Sequence, residues 1–445
     1  MSATKGSAIV AAVLVFAVGA AHQIATHDFG GDVAFDTDQV HHQFLAVNLA
    51  LGHGYQVGPV NGFDDYRIAQ PPRSHDYFKR FIRPQKHRYT FGRTPGYPLF
   101  LAAIYKVCGV NPECVRVTQA LLNALAAALL VLLGAYLWKR PGGLAGLIAA
   151  AAYLGFYAPD PTALMAEPLV VIGLLGVTGG YVLWSREHTL PRALVLGLLV
   201  ALALLVRPNL VFVPLCLAVS IAVGVRPLSR AGLQCLALVV GILLPILPWS
   251  AYATTHSEEP GRYGDGPGTI FLSTQPSRTL LDGNNEACFD DGRWHPQWRT
   301  SREDDDRFFY NRVADQHRST ASLLIAFWWE NLDRLPALFG RKISAALDRP
   351  RDAGALLAML AFYLALGISI AVRRRGTASG GTSPVRQVAG AFLPLVFWVN
   401  LLAIVAVLFG DPRFVQPFVC FALLSAAYLP IFLIATAGTI LRRDR

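Results

Sequence analysis

Residues 190–230 read "LPRALVLGLLVALALLVRPNLVFVPLCLAVSIAVGVRPLSR". Two apolar runs, 190–206 and 209–225, are parted only by Arg207 and Pro208. Arg192 stands at the start of the first run, and Arg226 and Arg230 follow the second. A helix rises about 1.5 Å per residue, so about 20 apolar residues cross the hydrocarbon core. Each run is slightly short of that length. With basic residues at the far ends, the pair still reads as two consecutive membrane crossings.

The pattern recurs outward from there. Further candidate spans lie near 6–25, 115–138, 142–158, 162–184, 231–252, 353–372, 387–409 and 413–438, about ten in all. The chain of 445 residues is 53% hydrophobic and only 15% charged, with a mean hydropathy of +0.41. Soluble domains carry nearer a quarter charged residues. The expected fold class is therefore an all-α polytopic membrane protein, one transmembrane domain over 1–445, with interfacial helices in two large polar segments. The N-terminal "MSATKGSAIVAAVLVFAVGAAHQIA" is long for a signal-peptide core and reads as a retained first span.

Threading the spans alternately puts Lys5, Lys139–Arg140, Arg186–Arg192, Arg226–Arg230, Arg373–Arg374–Arg375 and Arg442–Arg443–Arg445 on one side. The positive-inside rule makes that side cytoplasmic, together with both termini. The polar segments 26–114 and 253–352 then face outward, with the turns "APDP" and "GDPR". Each contains a helix too short or too charged to span: "YPLFLAAIYKVCGV" in the first and "STASLLIAFWWENLDRLPALFGRKI", with Trp328 and Trp329, in the second. These read as helices lying in the membrane interface. The net charge of +10 is accounted for by orientation, and no basic helix interleaved with aromatics points to nucleic acid. No Asn-x-Ser/Thr occurs, which suits a bacterial inner membrane with a site facing the periplasm.

The six cysteines show no metal-ligand spacing. Cys216, Cys235 and Cys420 lie in apolar runs, while Cys108 and Cys114 flank "GVNPE" on the outer side, where a disulfide is open to them. There is no Walker loop, dinucleotide fingerprint, HExxH or GxSxG.

Candidate chemistry begins with "DVAFDTDQVHHQFLAVNLALGHGY", residues 32–55. Asp36, Asp38, His41 and His42 follow the first span. Helical spacing places 38, 41, 42, 45 and 49 on one face. A carboxylate held at an interface beside imidazoles can act as a general base; an aspartate here can equally cap a helix. The lack of other His or Cys at matching spacing disfavours metal binding by His41 and His42. Glu167 is placed a few residues inside a span, and intramembrane acids default to function. Arg93, Arg207 and Arg413 stand at outer-side span ends or before an interfacial helix. Guanidinium groups bind phosphate oxygens bidentately, and snorkelling anchors are the plainer reading of each.

The ordered landmarks "FLAVNLALGHGY", "GRTPGYPLFLAAIY", "MAEPLVV", "LVRPNLVFVPL", "LPWSAY", "LSTQPSRTLLDGNN" and "DPRFVQPF" resemble the GT-C superfamily of integral-membrane glycosyltransferases. The resemblance is to its protein O-mannosyltransferase and lipid A aminoarabinose transferase branch. It implies transfer of a sugar from a polyprenyl-phosphate carrier, without a required metal or other cofactor, to a lipid, glycan or protein acceptor. It also implies that Asp38, ten residues before Asn48, is the catalytic acid, with Glu167 orienting the sugar or acceptor. Arg93 and Arg413 match basic residues of the pattern, and Arg207 matches only a common Arg-Pro pair. His41 and His42 stand where the family usually carries aromatics. Mechanism and resemblance together imply inversion at the anomeric carbon. A lipid-linked-sugar transporter and a non-catalytic partner of a glycosylation complex are the competing readings.

Overall fold

Apolar runs long enough to satisfy their own backbone in lipid become helices, and polar Gly- and Pro-containing stretches become the connections. The computed structural model describes residues 3–34, 37–58, 60, 64–69, 91–257, 270–273, 280, 283–291, 320–348, 412–428 and 430. Among these the protein is all-α, and its sole extended pairing is an isolated bridge between Val33 and Ile68.

The helices are α1 (Ala3–Thr26), α2 (Thr37–Leu51), α3 (Gly96–Cys108), α4 (Pro112–Ala152), α5 (Glu167–Arg186), α6 (Leu190–Val206), α7 (Phe212–Gly224), α8 (Leu228–His256), α9 (Thr320–Glu330) and α10 (Leu335–Ala346). A last apolar helix, α11, runs Gln416–Tyr428. Among the described residues, four segments are long and apolar enough to cross a membrane: Gly6–Thr26, Pro112–Leu137, Glu167–Arg186 and Leu228–His256. Shorter apolar helices occupy the expected positions near 142–158, 190–206, 209–225 and the start of 413–438. The expected spans 353–372 and 387–409 lie outside the described residues. Helices α3, α9 and α10 stand where the short apolar segments of the two polar regions were expected.

The α4 element contains the expected span 115–138 and most of 142–158 without a break in helical backbone. It nevertheless folds back on itself. A Cβ on Gly146 would lie 2.7 Å from Val131 Cα, and one on Gly134 would lie 2.4 Å from Gly142 O. Tyr153 Oη reaches Asn123 Oδ1 at 3.3 Å. Residues this far apart along a straight helix cannot meet, so Pro112–Leu137 and Gly142–Tyr157 are antiparallel legs. Asn111 caps the first leg by accepting from Glu113 N, and Pro112 opens it. The second leg ends in a π-helical turn, Tyr153–Tyr157.

Small residues set the tightest crossing. A Cβ on Gly197 of α6 would stand 2.2 Å from Leu238 O of α8, and one on Gly241 would stand 2.2 Å from Leu194 O. Helix axes that approach this closely gain packing and give up side chains, as membrane bundles commonly do. By contrast, Val10, Val13, Leu14 and Val18 of α1 and Leu236, Leu244 and Leu247 of α8 are exposed. Such apolar faces suit lipid contact.

One polar stripe interrupts the apolar first leg of α4. Arg116, Gln119 and Asn123 recur at spacings of three and four, so they share a face. Arg116 donates to the carbonyls of Phe29, Gly30, Gly31, Asp32 and Thr162. Gln119 Nε2 donates to Pro161 O and Ala163 O, and Asn123 Nδ2 to Pro159 O and Gln23 Oε1. These side chains satisfy the backbone of two non-helical connections, 29–32 and 159–163, which carry the chain into α2 and α5.

Candidate active site

Asp38 lies in the first turn of α2, where a carboxylate complements the helix dipole. Buried amides lock that helix. Gln43 Nε2 donates to Tyr66 O and Gln43 Oε1 accepts from Tyr105 Oη. Asn48 Nδ2 donates to Gln56 O and Gly58 O, and Asn48 Oδ1 accepts from Tyr66 Oη. Gln39 Oε1 accepts from Leu164 N, tying α2 to the connection before α5.

Arg93 sits on the segment entering α3. Phe91 stacks on Tyr55 with centroids 5.5 Å apart, and Tyr55 Oη donates to Arg93 O. Thr94 Oγ1 donates to Val206 O at 3.0 Å, and a Cβ on Gly96 would lie 2.7 Å from Leu205 O. Only a glycine lets α3 approach the end of α6 this closely. The same contact brings Arg93 to the end of the bundle where Arg207 follows Val206.

Two groups of ion pairs result, one on each carboxylate. Asp38 Oδ1 accepts from Arg93 Nη2, and Asp38 Oδ2 accepts from Arg413 Nη1 at 3.3 Å. Gln416 Nε2 donates to Tyr157 O at 3.2 Å, so the π-helical turn anchors the segment that carries Arg413. Glu167 Oε1 accepts from Arg207 Nη1 at 2.7 Å, with side-chain exposures of 7% and 14%. Burial opposes ionisation of Asp38, but the Arg93 and Arg413 guanidiniums outweigh it and hold the carboxyl well below its usual range. Three guanidiniums and two carboxylates are thus assembled from residues up to 375 positions apart.

His42 lies on the same helix as Asp38. It is buried, edge-on to Tyr97 with centroids 4.8 Å apart. Burial pulls its pKa well down, and Arg93 adds to that, against the opposing pull of Asp38. His42 is therefore a neutral imidazole at neutral pH. His41, on the adjacent position, is half-buried. Asp36 lies outside the described residues.

Two expectations change. Glu167 is the first residue of the spanning helix α5 and not a few residues inside it, because Pro161 and the turn at 159–166 delay the helix, and Pro168 suits the first turn. Cys108 and Cys114 are free thiols, not bridged. Arg116 is the residue that the sequence reading passed over; its signal was a charge early in an apolar span. Among the described residues, no group of three His, Cys, Asp or Glu could hold a metal ion.

No family model matches the chain, and no curated protein matches it. Among solved structures, it is similar to the archaeal oligosaccharyltransferase AglB from Archaeoglobus fulgidus, in complex with an inhibitory peptide and a dolichol-phosphate. The identity is 12% and the TM-score 0.49, over 98% of this chain and 52% of that one. The chain spans about half the length of that protein.

Proposed function

We propose that the protein transfers a sugar from a polyprenyl-phosphate donor to an acceptor hydroxyl at the membrane surface, with Asp38 as general base. The observation that carries the reading is the grip of Arg93 and Arg413 on Asp38. One acid flanked by two fixed guanidiniums suits a reaction in which a phosphate leaves and a hydroxyl loses its proton. The position of these groups at one end of an apolar bundle suits a donor whose tail stays in lipid.

In the proposed step the acceptor oxygen attacks the anomeric carbon, and the bond from that carbon to the phosphate oxygen breaks. The lipid phosphate keeps the electron pair, and the hydroxyl proton passes to Asp38. Arg93 and Arg413 stabilise the charge that develops on the departing phosphate. Asp38 held this far below its usual pKa is a weak base. The donor phosphate offers the same two arginines a competing anion. As it binds, it draws their charge from Asp38, and the carboxylate regains basicity when the acceptor must be deprotonated. Glu167, fixed by Arg207, orients the sugar or the acceptor. A one-step displacement inverts the anomeric centre. The resemblance of the landmark motifs to GT-C enzymes supports the same reading. We further place the site on the periplasmic side of a bacterial inner membrane, with both termini cytoplasmic.

The test is sugar transfer by the purified protein in detergent, using radiolabelled polyprenyl-phosphate sugars. Transfer with inverted configuration supports the reading. Retention of configuration removes the one-step mechanism, and vectorial movement of donor without transfer removes the enzyme.

A further inference from the structure

Among the described residues, His42 Nδ1 is closed off from solvent and has no hydrogen-bond partner. Glu167 Oε1 takes Arg207, but Glu167 Oε2 is equally enclosed and equally without a partner. Native structures leave few enclosed polar atoms unpaired, and each asks for a reason. These two belong to one neighbourhood. Tyr97 touches the His42 ring, and it packs in one buried cluster with Leu164, Ala166 and Val206, the neighbours of Glu167 and Arg207. His42 is also within electrostatic reach of Arg93 and of Arg207, one from each ion pair. Both unpaired atoms therefore lie along the seam between Asp38–Arg93 and Glu167–Arg207.

The chemistry of the seam selects its ligand. A phosphate is repelled by the Glu167 carboxylate and has Arg93 and Arg413 nearby. A cation is repelled by Arg93 and Arg207. A hydroxyl suits both atoms: it donates to a carboxylate oxygen, and it can donate to or accept from a neutral imidazole. We propose that His42 Nδ1 and Glu167 Oε2 bind hydroxyl groups of the donor's sugar ring, which makes His42 a specificity-determining residue. The proposal rests on the lipid-linked-sugar reading above and adds which atoms read the sugar.

The experiment uses undecaprenyl-phospho-glucose, -mannose and -galactose, then the monodeoxy analogues of whichever is turned over. For the wild type, one deoxy donor should fall by about tenfold or more in kcat/KM, because its absence leaves an enclosed group unpaired. His42→Phe keeps a flat ring against Tyr97 and lacks the nitrogen. It should handle the parent and that deoxy donor within about twofold of each other, the discrimination having gone with its hydrogen bond. Unchanged discrimination in H42F overturns the proposal. A second readout needs no folded variant: the imidazole 15N resonance of His42 in wild-type protein labelled at histidine should move on saturation with a donor. His42→Gln provides the assignment if H42F does not fold. If none of the three donors is turned over, it is the proposed activity that fails for them, and the resonance decides the subsite separately. A His42 signal unmoved by all three overturns it.

Discussion

Replacing Asp38 with Asn separates binding from chemistry. The carboxylate holds Arg93 and Arg413, so it opposes any anion that approaches the same guanidiniums. Two negative charges about 5 Å apart repel by about 3 kcal/mol at an effective dielectric constant of about 20. Asp38 is 28% exposed and Arg413 41%, so solvent screens part of this. About 1.4 kcal/mol should survive, which is about tenfold in affinity. D38N should therefore bind undecaprenyl phosphate about tenfold more tightly than the wild type. The same variant has lost the proposed base, so turnover should fall by about 10²–10⁴-fold. Titration of the carrier lipid by fluorescence quenching in detergent measures the first, and single-turnover sugar transfer measures the second. Gel filtration establishes that the variant is folded. A tenfold weaker affinity would refute the competition argument, since Asp38 would then be organising the arginines for the phosphate. Turnover unchanged in folded D38N would remove Asp38 as base.

Three further outcomes follow from the packing. Arg116→Met strips five carbonyls of their guanidinium donor; it should cost about 3 kcal/mol or more and lower donor kcat/KM, read by thermal melting and transfer assays, because the connection into α2 loses its anchor. Gly197→Val places a Cβ 2.2 Å from Leu238 O, so it should lower stability by about 3 kcal/mol through forced separation of α6 and α8, read by the melting temperature with the site otherwise intact. Lys342 is fully buried with Nζ donating to Asn284 Oδ1 at 2.9 Å, and burial pulls its pKa down to about 7 from the ordinary 10.5. Between those values the unfolded chain holds a proton that the folded protein releases, so stability should rise with pH across that window, and Lys342→Met should flatten the rise in melting temperature between pH 7 and 10.

The described apolar helices were legible because length and hydropathy alone decide whether a segment can satisfy its backbone in lipid. The hairpin in α4 was legible too, although its helical backbone hides the turn, because Lys139 and Arg140 interrupt two apolar runs. Of the site, the acids and arginines could be picked out singly, since charge beside an apolar run is conspicuous. Their pairing could not: Asp38 and Arg413 are 375 positions apart, and only the packed bundle brings them together. Arg93 reaches Asp38 because Gly96 and Thr94 dock on the end of α6, a contact with no periodic signature. The two histidines show the limit most directly. They are neighbours of identical type, yet His42 is buried against Tyr97 and His41 is half-buried.

The difference in burial between the two ion pairs decides which of them a substrate phosphate can exchange with. Glu167 and Arg207 are enclosed, so pulling one away leaves a buried charge, at a cost of about 3–5 kcal/mol. Asp38 and Arg413 keep 28% and 41% exposure, and a pair that open contributes about 0–1 kcal/mol. An incoming anion can therefore displace the second grip on Asp38 at little cost, while the Glu167–Arg207 pair stays in place as a fixed field beside it. In the proposed reaction this divides the labour between the pairs. The open pair rearranges around the leaving phosphate, and the closed pair holds the sugar's geometry steady while it does so. Arg413 is the grip expected to let go first. It is the more exposed of the two arginines, its contact is the longer at 3.3 Å, and the Gln416–Tyr157 hydrogen bond anchors its segment three residues away.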